Sequence, residues 1–184
     1  MAVQRNIAKT RKFISKRQPL SEAWLAWCGN TIGAMDYDVT LHLPTHLAHH
    51  QNGDIMSQYL TRLFNRLDRH LFDELDTACT LRLPRFVTLE RTDGVGWHAH
   101  VSLKIWRDAQ GYVIDPYYVG ETLANYWHDL IKQPKEGKFS GFFVEFKKTH
   151  DEFLSYSLKH IDRRHEHSGK VDILNCAADV LLPT

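Results

Sequence analysis

Apolar residues along the chain follow two spacings that predict its secondary-structure elements. Residues 37–43 alternate between apolar and polar, which predicts a strand with one buried face. Apolar residues then recur at helical spacing and predict an amphipathic helix over 55–75. The same two patterns predict the remaining elements: strands over 83–91, 97–106 and 140–147, helices over 119–132 and 150–164, and a short strand over 171–174.

Up to the last short strand, the predicted order of elements is β-α-β-β-α-β-α. This is the split βαβ pattern of ferredoxin-like and RRM-like folds, so we predict an α+β protein with one antiparallel sheet. The helices are expected to cover one face of the sheet and to leave the other face free for a ligand.

Composition and charge allow one globular domain preceded by a basic segment. The 184 residues are 43% hydrophobic, which suffices for a single core. Residues 1–18 hold six basic residues and no acidic one, although the whole chain has a net charge of only +1. We therefore divide the chain into a basic N-terminal arm, residues 1–20, and a domain, residues 21–184. This distribution excludes a uniformly basic coat of the histone kind and allows a nucleic-acid-binding protein with a local site.

Cysteine usage and hydropathy favour a cytoplasmic protein without a membrane partner. The three cysteines are far apart and lack CxxC spacing, which argues against a disulfide framework or a cysteine-ligated zinc. No apolar run approaches the roughly 20 residues of a membrane-spanning helix. No apolar stretch follows the basic arm, as it would in a secretory signal.

Two histidines on one predicted strand form a candidate metal site. The strand 97–106 places His98 and His100 on its polar face, about 6.6 Å apart. The turn at 92–96 brings Glu90 opposite the start of this strand, and a carboxylate beside two imidazoles suits Mg²⁺ or Mn²⁺. The alternatives are two surface histidines in a chain that has 12, and a solvated glutamate at a strand end.

The predicted helix 150–164 carries a candidate nucleophile. Tyr156, Lys159 and Arg163 lie opposite its apolar stripe, and Tyr156 and Lys159 are close enough along the helix to share a surface. A phenol beside a cation, facing a metal-polarised phosphate, is competent for in-line attack. The alternative is an exposed tyrosine stacked on a basic residue.

In this order, the features resemble the HUH endonuclease superfamily, specifically its rolling-circle replication initiators with a single catalytic tyrosine. Residues 40–43 look like the family's first motif, 98–100 like its His-hydrophobe-His motif, and 156–159 like its YxxK motif. Glu90 lies where many virus-type initiators place a third metal ligand. The resemblance covers roughly residues 35–165.

The resemblance implies a metal-dependent endonuclease that nicks and rejoins single-stranded DNA at an origin. Tyr156 would attack the scissile phosphate and leave a 5′-phosphotyrosine link and a free 3′-hydroxyl. Lys159 would position or neutralise that phosphate, while Glu90, His98 and His100 would hold Mg²⁺ or Mn²⁺. We also predict DNA contacts at six positions on the first strand, the third strand, the third helix and the arm: Thr40, His42, Lys104, Arg163, Arg11 and Lys12. For the arm, a disordered tail remains the alternative.

Partners and context follow from the same resemblance. Many such initiators continue into a helicase domain, whereas this sequence ends at Thr184. The resemblance therefore implies a helicase supplied by the host or by a missing domain. It favours the cytoplasm of a plasmid-bearing or phage-infected bacterium, or the nucleus for a eukaryotic virus.

Two other functions remain open. A single-strand transposase of the same superfamily would cut hairpin transposon ends, and lysine rather than glutamine beside Tyr156 favours the initiator. A non-catalytic RRM-like binder would carry aromatic residues on its two central strands, where this sequence has His, Ser and Lys. We interpret the second HxH, 165–167, as a solvated helix end and the pair 117–118 as core or base-stacking tyrosines.

Overall fold

A computed structural model describes the fold at residues 20–48, 53–72, 81–105, 107, 113–133, 143–149, 152–159, 161 and 169–177. The predicted DNA contacts Arg11, Lys12 and Arg163 and the second HxH lie outside these residues. The described elements are, in chain order, α1 (Leu20–Thr31), β1 (Tyr37–His42), α2 (Thr45–Ala48), α3 (Asp54–Phe72), β2 (Arg85–Thr92), β3 (Gly96–Leu103), α4 (Pro116–Ile131), β4 (Val144–Lys148), α5 (Phe153–Ser157), β5 (Gly169–Val171) and a 3-10 turn (Ile173–Asn175). Among them, no helix has both the length and the apolar character needed to cross a bilayer.

The five strands form one antiparallel sheet in the order β4-β1-β3-β2-β5. The first four strands have the order of a ferredoxin-like split βαβ fold, so the predicted α+β class is confirmed. The fifth strand extends the sheet beyond β2. The predicted strand over 171–174 is wrong in its bounds, because β5 ends at Val171 and Ile173–Asn175 form a 3-10 turn, in which Asn175 donates a hydrogen bond to the Asp172 carboxylate at 2.7 Å.

The main core lies between the sheet and the helices α3 and α4. Inward-facing residues of the central strands and the apolar stripes of both helices form one buried cluster, which includes Val39, Leu41, Leu60, Leu63, Phe64, Ala99, Val101, Leu123 and Trp127. Burying each large apolar side chain contributes about 1.5–3 kcal/mol. Because strand side chains alternate, this burial directs the polar residues of β1, β2 and β3 to the opposite face.

That opposite face is partly covered, which the sequence analysis did not predict. Phe86 of β2 contacts Trp24 and Trp27 of α1, with ring centroids 5.9 and 6.1 Å apart. Leu158, just beyond α5, is buried in the same small apolar cluster. Helix α1 was not predicted because its apolar residues form no continuous stripe, and only Cys28 within it is buried. The part of the face left open is a cleft beside α5.

A buried ion pair joins α3 to β2. The Arg85 guanidinium donates to both oxygens of Asp68, at 2.9 and 3.0 Å, and to the carbonyl oxygens of Leu83 and Asn175, each at 2.9 Å. Both charged residues are almost completely buried. The paired charges and filled hydrogen bonds make this contact a structural link between the helix layer and the sheet.

We expect Asp68→Asn to lower the free energy of unfolding by about 3–5 kcal/mol, because it leaves the Arg85 charge buried without its counter-ion. Urea unfolding followed by circular dichroism measures this change. The matched control is Asp129→Asn, since the Asp129 bridge to Arg66 is exposed and 3.4 Å long, and its removal should cost about 0–1 kcal/mol. Equal losses in the two variants would contradict this account.

Candidate functional site

Strands β2 and β3 bring the three predicted metal ligands together. The strand register places Glu90 directly opposite His98, and His100 lies two residues further along β3 on the same face. One carboxylate oxygen of Glu90, Oε2, is 3.1 Å from Nε2 of His100 and 3.8 Å from Nε2 of His98. One ligand atom from each residue lies within 4.8 Å of the others, so the three could hold a metal ion. We call these three residues the ligand group.

The ligand group is buried, and hydrogen-bond partners at Nδ1 orient its two imidazole rings. Glu90, His98 and His100 are each 6% exposed. The alternative interpretations, two surface histidines and a solvated glutamate at a strand end, are therefore wrong. Nδ1 of His98 lies 3.2 Å from the carbonyl oxygen of Gly96. Because a carbonyl only accepts, Nδ1 carries the proton and the Nε2 lone pair faces the site.

The hydroxyl of Thr40 supports His100 in a similar way. Thr40 Oγ1 is 3.5 Å from His100 Nδ1, and the opposite ring nitrogen of His100 donates to Glu90. A hydroxyl both donates and accepts, so Thr40 can serve either tautomer of His100. In both histidines Nδ1 has a partner and Nε2 points to the carboxylate, as is usual for histidines that bind metal ions. The chemistry and orientation of the donors therefore fit a divalent ion.

Electrostatics hold the ligand group in a state that suits a cation. Burial raises the pKa of Glu90, but the hydrogen bond from His100 and the positive charge of Lys159 outweigh it, and the pKa is lowered to about 2. Burial, assisted by repulsion from His100, lowers the pKa of His98. At neutral pH the site therefore contains an ionised carboxylate and a neutral His98, which are the forms that bind metal ions.

His42 adds a third imidazole beside the ligand group. Its ring stacks on His98 with a centroid distance of 5.2 Å and an interplanar angle of 16°. Burial and the neighbouring His98 and His100 lower the pKa of His42 to about 4. The indole N–H of Trp127 donates to the His42 carbonyl at 3.1 Å, so α4 fixes this end of β1 from the other side of the sheet. His42 faces the cleft, as predicted, and its DNA contact stays a prediction.

Helix α5 and the turn after it place the predicted nucleophile and lysine beside the ligand group. Lys159 Nζ lies 3.3 Å from Glu90 Oε1 and 3.4 Å from the centre of the Tyr156 ring. The Tyr156 ring meets His100 edge to face, with centroids 5.7 Å apart, and the residue is 51% exposed. The sequence-predicted proximity of these two residues to the ligands is thus present in the structure.

The local geometry of Lys159 differs from the prediction. The helix predicted over 150–164 ends at Ser157, and the Lys159 amide donates to the Tyr156 carbonyl at 3.1 Å in a tight turn. Leu158, the residue between this helix and Lys159, is buried in the apolar cluster that includes Phe86. Lys159 therefore folds back over the Tyr156 ring instead of projecting from a continuous helix.

The two histidines of the ligand group and Tyr156 line a cleft of about 410 Å³ between the sheet and α5. Its lining residues are Thr40, His42, His98, His100, Glu145, Lys147, Glu152, Phe153 and Tyr156. The volume lies within the range of small-molecule binding sites. Glu145 and Lys147 were not predicted as site residues, although both alternate onto the polar face of a predicted strand. The split βαβ order, which pairs that strand with β1, was the signal that could have identified them.

The remaining predicted residues lie away from the cleft lining. Lys104 donates to the Ile32 carbonyl at 2.9 Å, near the C-terminal end of α1, where a cation is favourable. Its DNA contact stays a prediction. Tyr117 and Tyr118 are exposed at the start of α4, and the Tyr118 hydroxyl contacts His70 at 2.5 Å, so these two tyrosines are not core residues. They lie on the side of the sheet opposite the ligand group.

Comparison with known proteins adds no further constraint. A scan against protein-family models found no match, and neither the curated proteins nor the solved structures contained one. The interpretation of this site therefore depends on its own geometry and chemistry.

We expect His98→Ala and His100→Ala each to weaken Mn²⁺ binding by about 100-fold or more, because each removes one nitrogen ligand. Isothermal titration calorimetry with Mn²⁺ measures the change. His46→Ala is the control, since His46 is an exposed histidine on the short helix α2. Unchanged Mn²⁺ affinity in His98→Ala would remove that residue from the ligand group.

The hairpin before His98 provides a second test of the site. Gly96 has φ +81°, and an added Cβ would lie 2.5 Å from the backbone oxygen of Ala48. Gly96→Ala should therefore both destabilise the protein and weaken Mn²⁺ binding, because the Gly96 carbonyl orients His98. Gly94→Ala has a similar φ of +82° but open space around the new Cβ, so we expect a loss of about 1–2 kcal/mol and normal Mn²⁺ affinity. Identical behaviour of both variants in calorimetry and thermal unfolding would refute the role of Gly96.

Proposed function

We propose that this protein is a metal-dependent endonuclease of the HUH type, which nicks and rejoins single-stranded DNA at a replication origin. The observation that supports it most is the position of Lys159, which contacts both Glu90 and the Tyr156 ring, with both imidazoles of the ligand group at the same carboxylate. A half-exposed tyrosine, a lysine over its ring and a buried group of metal ligands together provide the parts of a phosphoryl transfer site.

The proposed chemistry assigns a separate task to each group. A divalent ion bound by Glu90, His98 and His100, with Mg²⁺ or Mn²⁺ best suited to this set, would polarise the scissile phosphate. The Tyr156 oxygen forms a bond to phosphorus while the bond from phosphorus to the 3′ oxygen breaks. The phenol loses its proton, the 3′ oxygen gains one, and the 5′ phosphate stays on Tyr156. Attack by a 3′-hydroxyl on this link rejoins the strand. This direction of linkage follows the family resemblance.

Lys159 assists the nucleophile through its charge. Its ammonium lies 3.4 Å from the centre of the Tyr156 ring and stabilises the negative charge that develops on the phenol oxygen as the proton leaves. Its contact with Glu90 at 3.3 Å holds the ammonium at this position. Tyr156 itself is exposed enough to meet a DNA strand that enters from solvent.

The composition of the cleft face favours this proposal over a non-catalytic RRM-like binder. Such binders stack bases on aromatic residues of their two central strands. Where β1 and β3 pair with each other, the residues that face the cleft side are all polar: Asp38, Thr40, His42, His98, His100 and Ser102. The proposed partners are single-stranded origin DNA and a helicase from the host or from a further domain. The proposed setting is the cytoplasm of a plasmid or phage host.

The test uses random single-stranded oligonucleotides, labelled at either end, with Mn²⁺ or with EDTA, on denaturing gels. The wild-type protein should form a covalent band that needs Mn²⁺ and carries the 3′ label, because the 5′ phosphate stays on the protein. Tyr156→Phe should abolish this band and keep DNA binding near normal. Tyr117→Phe, which removes the hydroxyl of a 71% exposed tyrosine on the other side of the sheet, should keep the band.

Each other outcome of this gel has a defined meaning. A covalent band in Tyr156→Phe would exclude Tyr156 as the nucleophile. A band that carries the 5′ label would reverse the proposed direction of linkage. Binding of the oligonucleotides in a native gel shift, without any covalent band on the denaturing gel, would favour the RRM-like binder over the endonuclease. Stronger covalent bands with hairpin-ended oligonucleotides would favour the transposase.

A further inference from the structure

Lys147 is a cation in the cleft that the proposed chemistry does not use. The pairing of β4 with β1 places Lys147 opposite Asp38 and Glu145 opposite Thr40, on the same sheet face as the ligand group. The Lys147 ammonium lies 5.9 Å from the centre of the Phe153 ring, and the His100 ring lies 5.7 Å from the same ring. Phe153 is therefore a common neighbour of Lys147 and His100, and all three residues line the same cleft.

The only described ion-pair partner of Lys147 is a weak one. Its ammonium lies 3.4 Å from Glu145 Oε1, and the two side chains are 43% and 50% exposed. An exposed pair of this kind contributes about 0–1 kcal/mol, so an incoming phosphate can replace Glu145 with little loss. Among the cleft-lining residues of the described chain, Lys147 alone carries a permanent positive charge.

We propose that Lys147 binds the phosphate next to the scissile one on the bound strand, an inference that rests on the endonuclease function proposed above. Lys147 is two strands away from His100, roughly 10 Å across the sheet, and two residues, about 7 Å, along it. That separation suits a neighbouring phosphate better than the phosphate at the ligand group. Lys159, beside Glu90, and Lys147, beside Phe153, thus provide two positive charges for successive phosphates of a strand that lies across the cleft.

The first test measures the binding of thymidine 3′,5′-bisphosphate and thymidine 5′-monophosphate to the full chain carrying Tyr156→Phe, by calorimetry with Mn²⁺ present. The bisphosphate should bind more tightly than the monophosphate. Lys147→Ala should lower the affinity for the bisphosphate by about tenfold, as expected for the loss of one charge-assisted hydrogen bond. It should leave the affinity for the monophosphate unchanged. Lys147→Arg should retain most of the affinity, because the charge is kept.

Lys148→Ala is the matched control. Lys148 is the next residue of the same strand and carries the same charge, but its side chain alternates to the other face of the sheet, opposite Tyr37 in the β1 pairing. Its loss changes the net charge by the same amount without touching the cleft. We expect bisphosphate affinity to remain unchanged in this variant.

A second pair of variants distinguishes a direct contact between Lys147 and the phosphate from a change in the repulsion between Glu145 and the phosphate. Lys147→Ala leaves Glu145 without its partner, and that carboxylate alone would repel a phosphate. The comparison is therefore repeated in Glu145→Gln, where the tenfold loss should persist if Lys147 contacts the phosphate. A loss that disappears in Glu145→Gln overturns the proposal, and so does equal bisphosphate affinity of Lys147→Ala and Lys148→Ala.

Binding of a single-stranded oligonucleotide in EDTA gives a readout that is independent of the metal. Removing one phosphate contact should reduce the slope of log affinity against log salt by about 0.7 in Lys147→Ala and leave it unchanged in Lys148→Ala. An unchanged slope in both variants overturns the Lys147 contact. If the protein forms covalent adducts but Lys147→Ala changes neither bisphosphate affinity nor the salt slope, only the Lys147 contact is rejected. If the slope depends on Lys147 but no adduct forms, only the endonuclease function is rejected.

Discussion

One buried carboxylate connects the sheet to the segment that carries the candidate nucleophile. Glu90 contacts His100 through one oxygen and Lys159 through the other, while remaining 6% exposed. A buried charge costs several kcal/mol unless opposite charges and hydrogen bonds compensate it. The position of Lys159 is therefore tied to Glu90, and Tyr156, which lies under the Lys159 ammonium, is placed by the same contact. Helix α5 has only five residues, so such external contacts decide where it lies.

The two faces of the sheet have separate roles because side chains alternate along each strand. One face is apolar and packs against α3 and α4, which makes β1, β2 and β3 a rigid support. The other face presents the ligand group, with Gly96 and Thr40 behind the two imidazoles. Residues held by the backbone and by packed strands keep their geometry better than residues on loops. Helix α1 and the segment around α5 cover part of this face and leave the cleft between α5 and β4.

Local patterns in the sequence predicted most of the sheet and the ligand group. His98 and His100 share a face because they are two residues apart on a strand, and a tight turn brings Glu90 back beside them. Both relationships span few residues, so periodicity and turn residues suffice to infer them. The helix over 20–31 escaped prediction since it buries only Cys28, and the helix predicted over 150–164 ends at Ser157, before the buried Leu158.

By itself, the sequence determined which strands form, which face of each is polar, and that two imidazoles and a carboxylate meet at one hairpin. The tertiary structure decided what stands beside them. Lys159 reaches Glu90 across about 70 residues of chain, and Lys147 enters the cleft through the pairing of β4 with β1. The physical reason is range: alternation and turns act between near neighbours, whereas these contacts exist only after the sheet has assembled and apolar burial has set the path of the chain around α5.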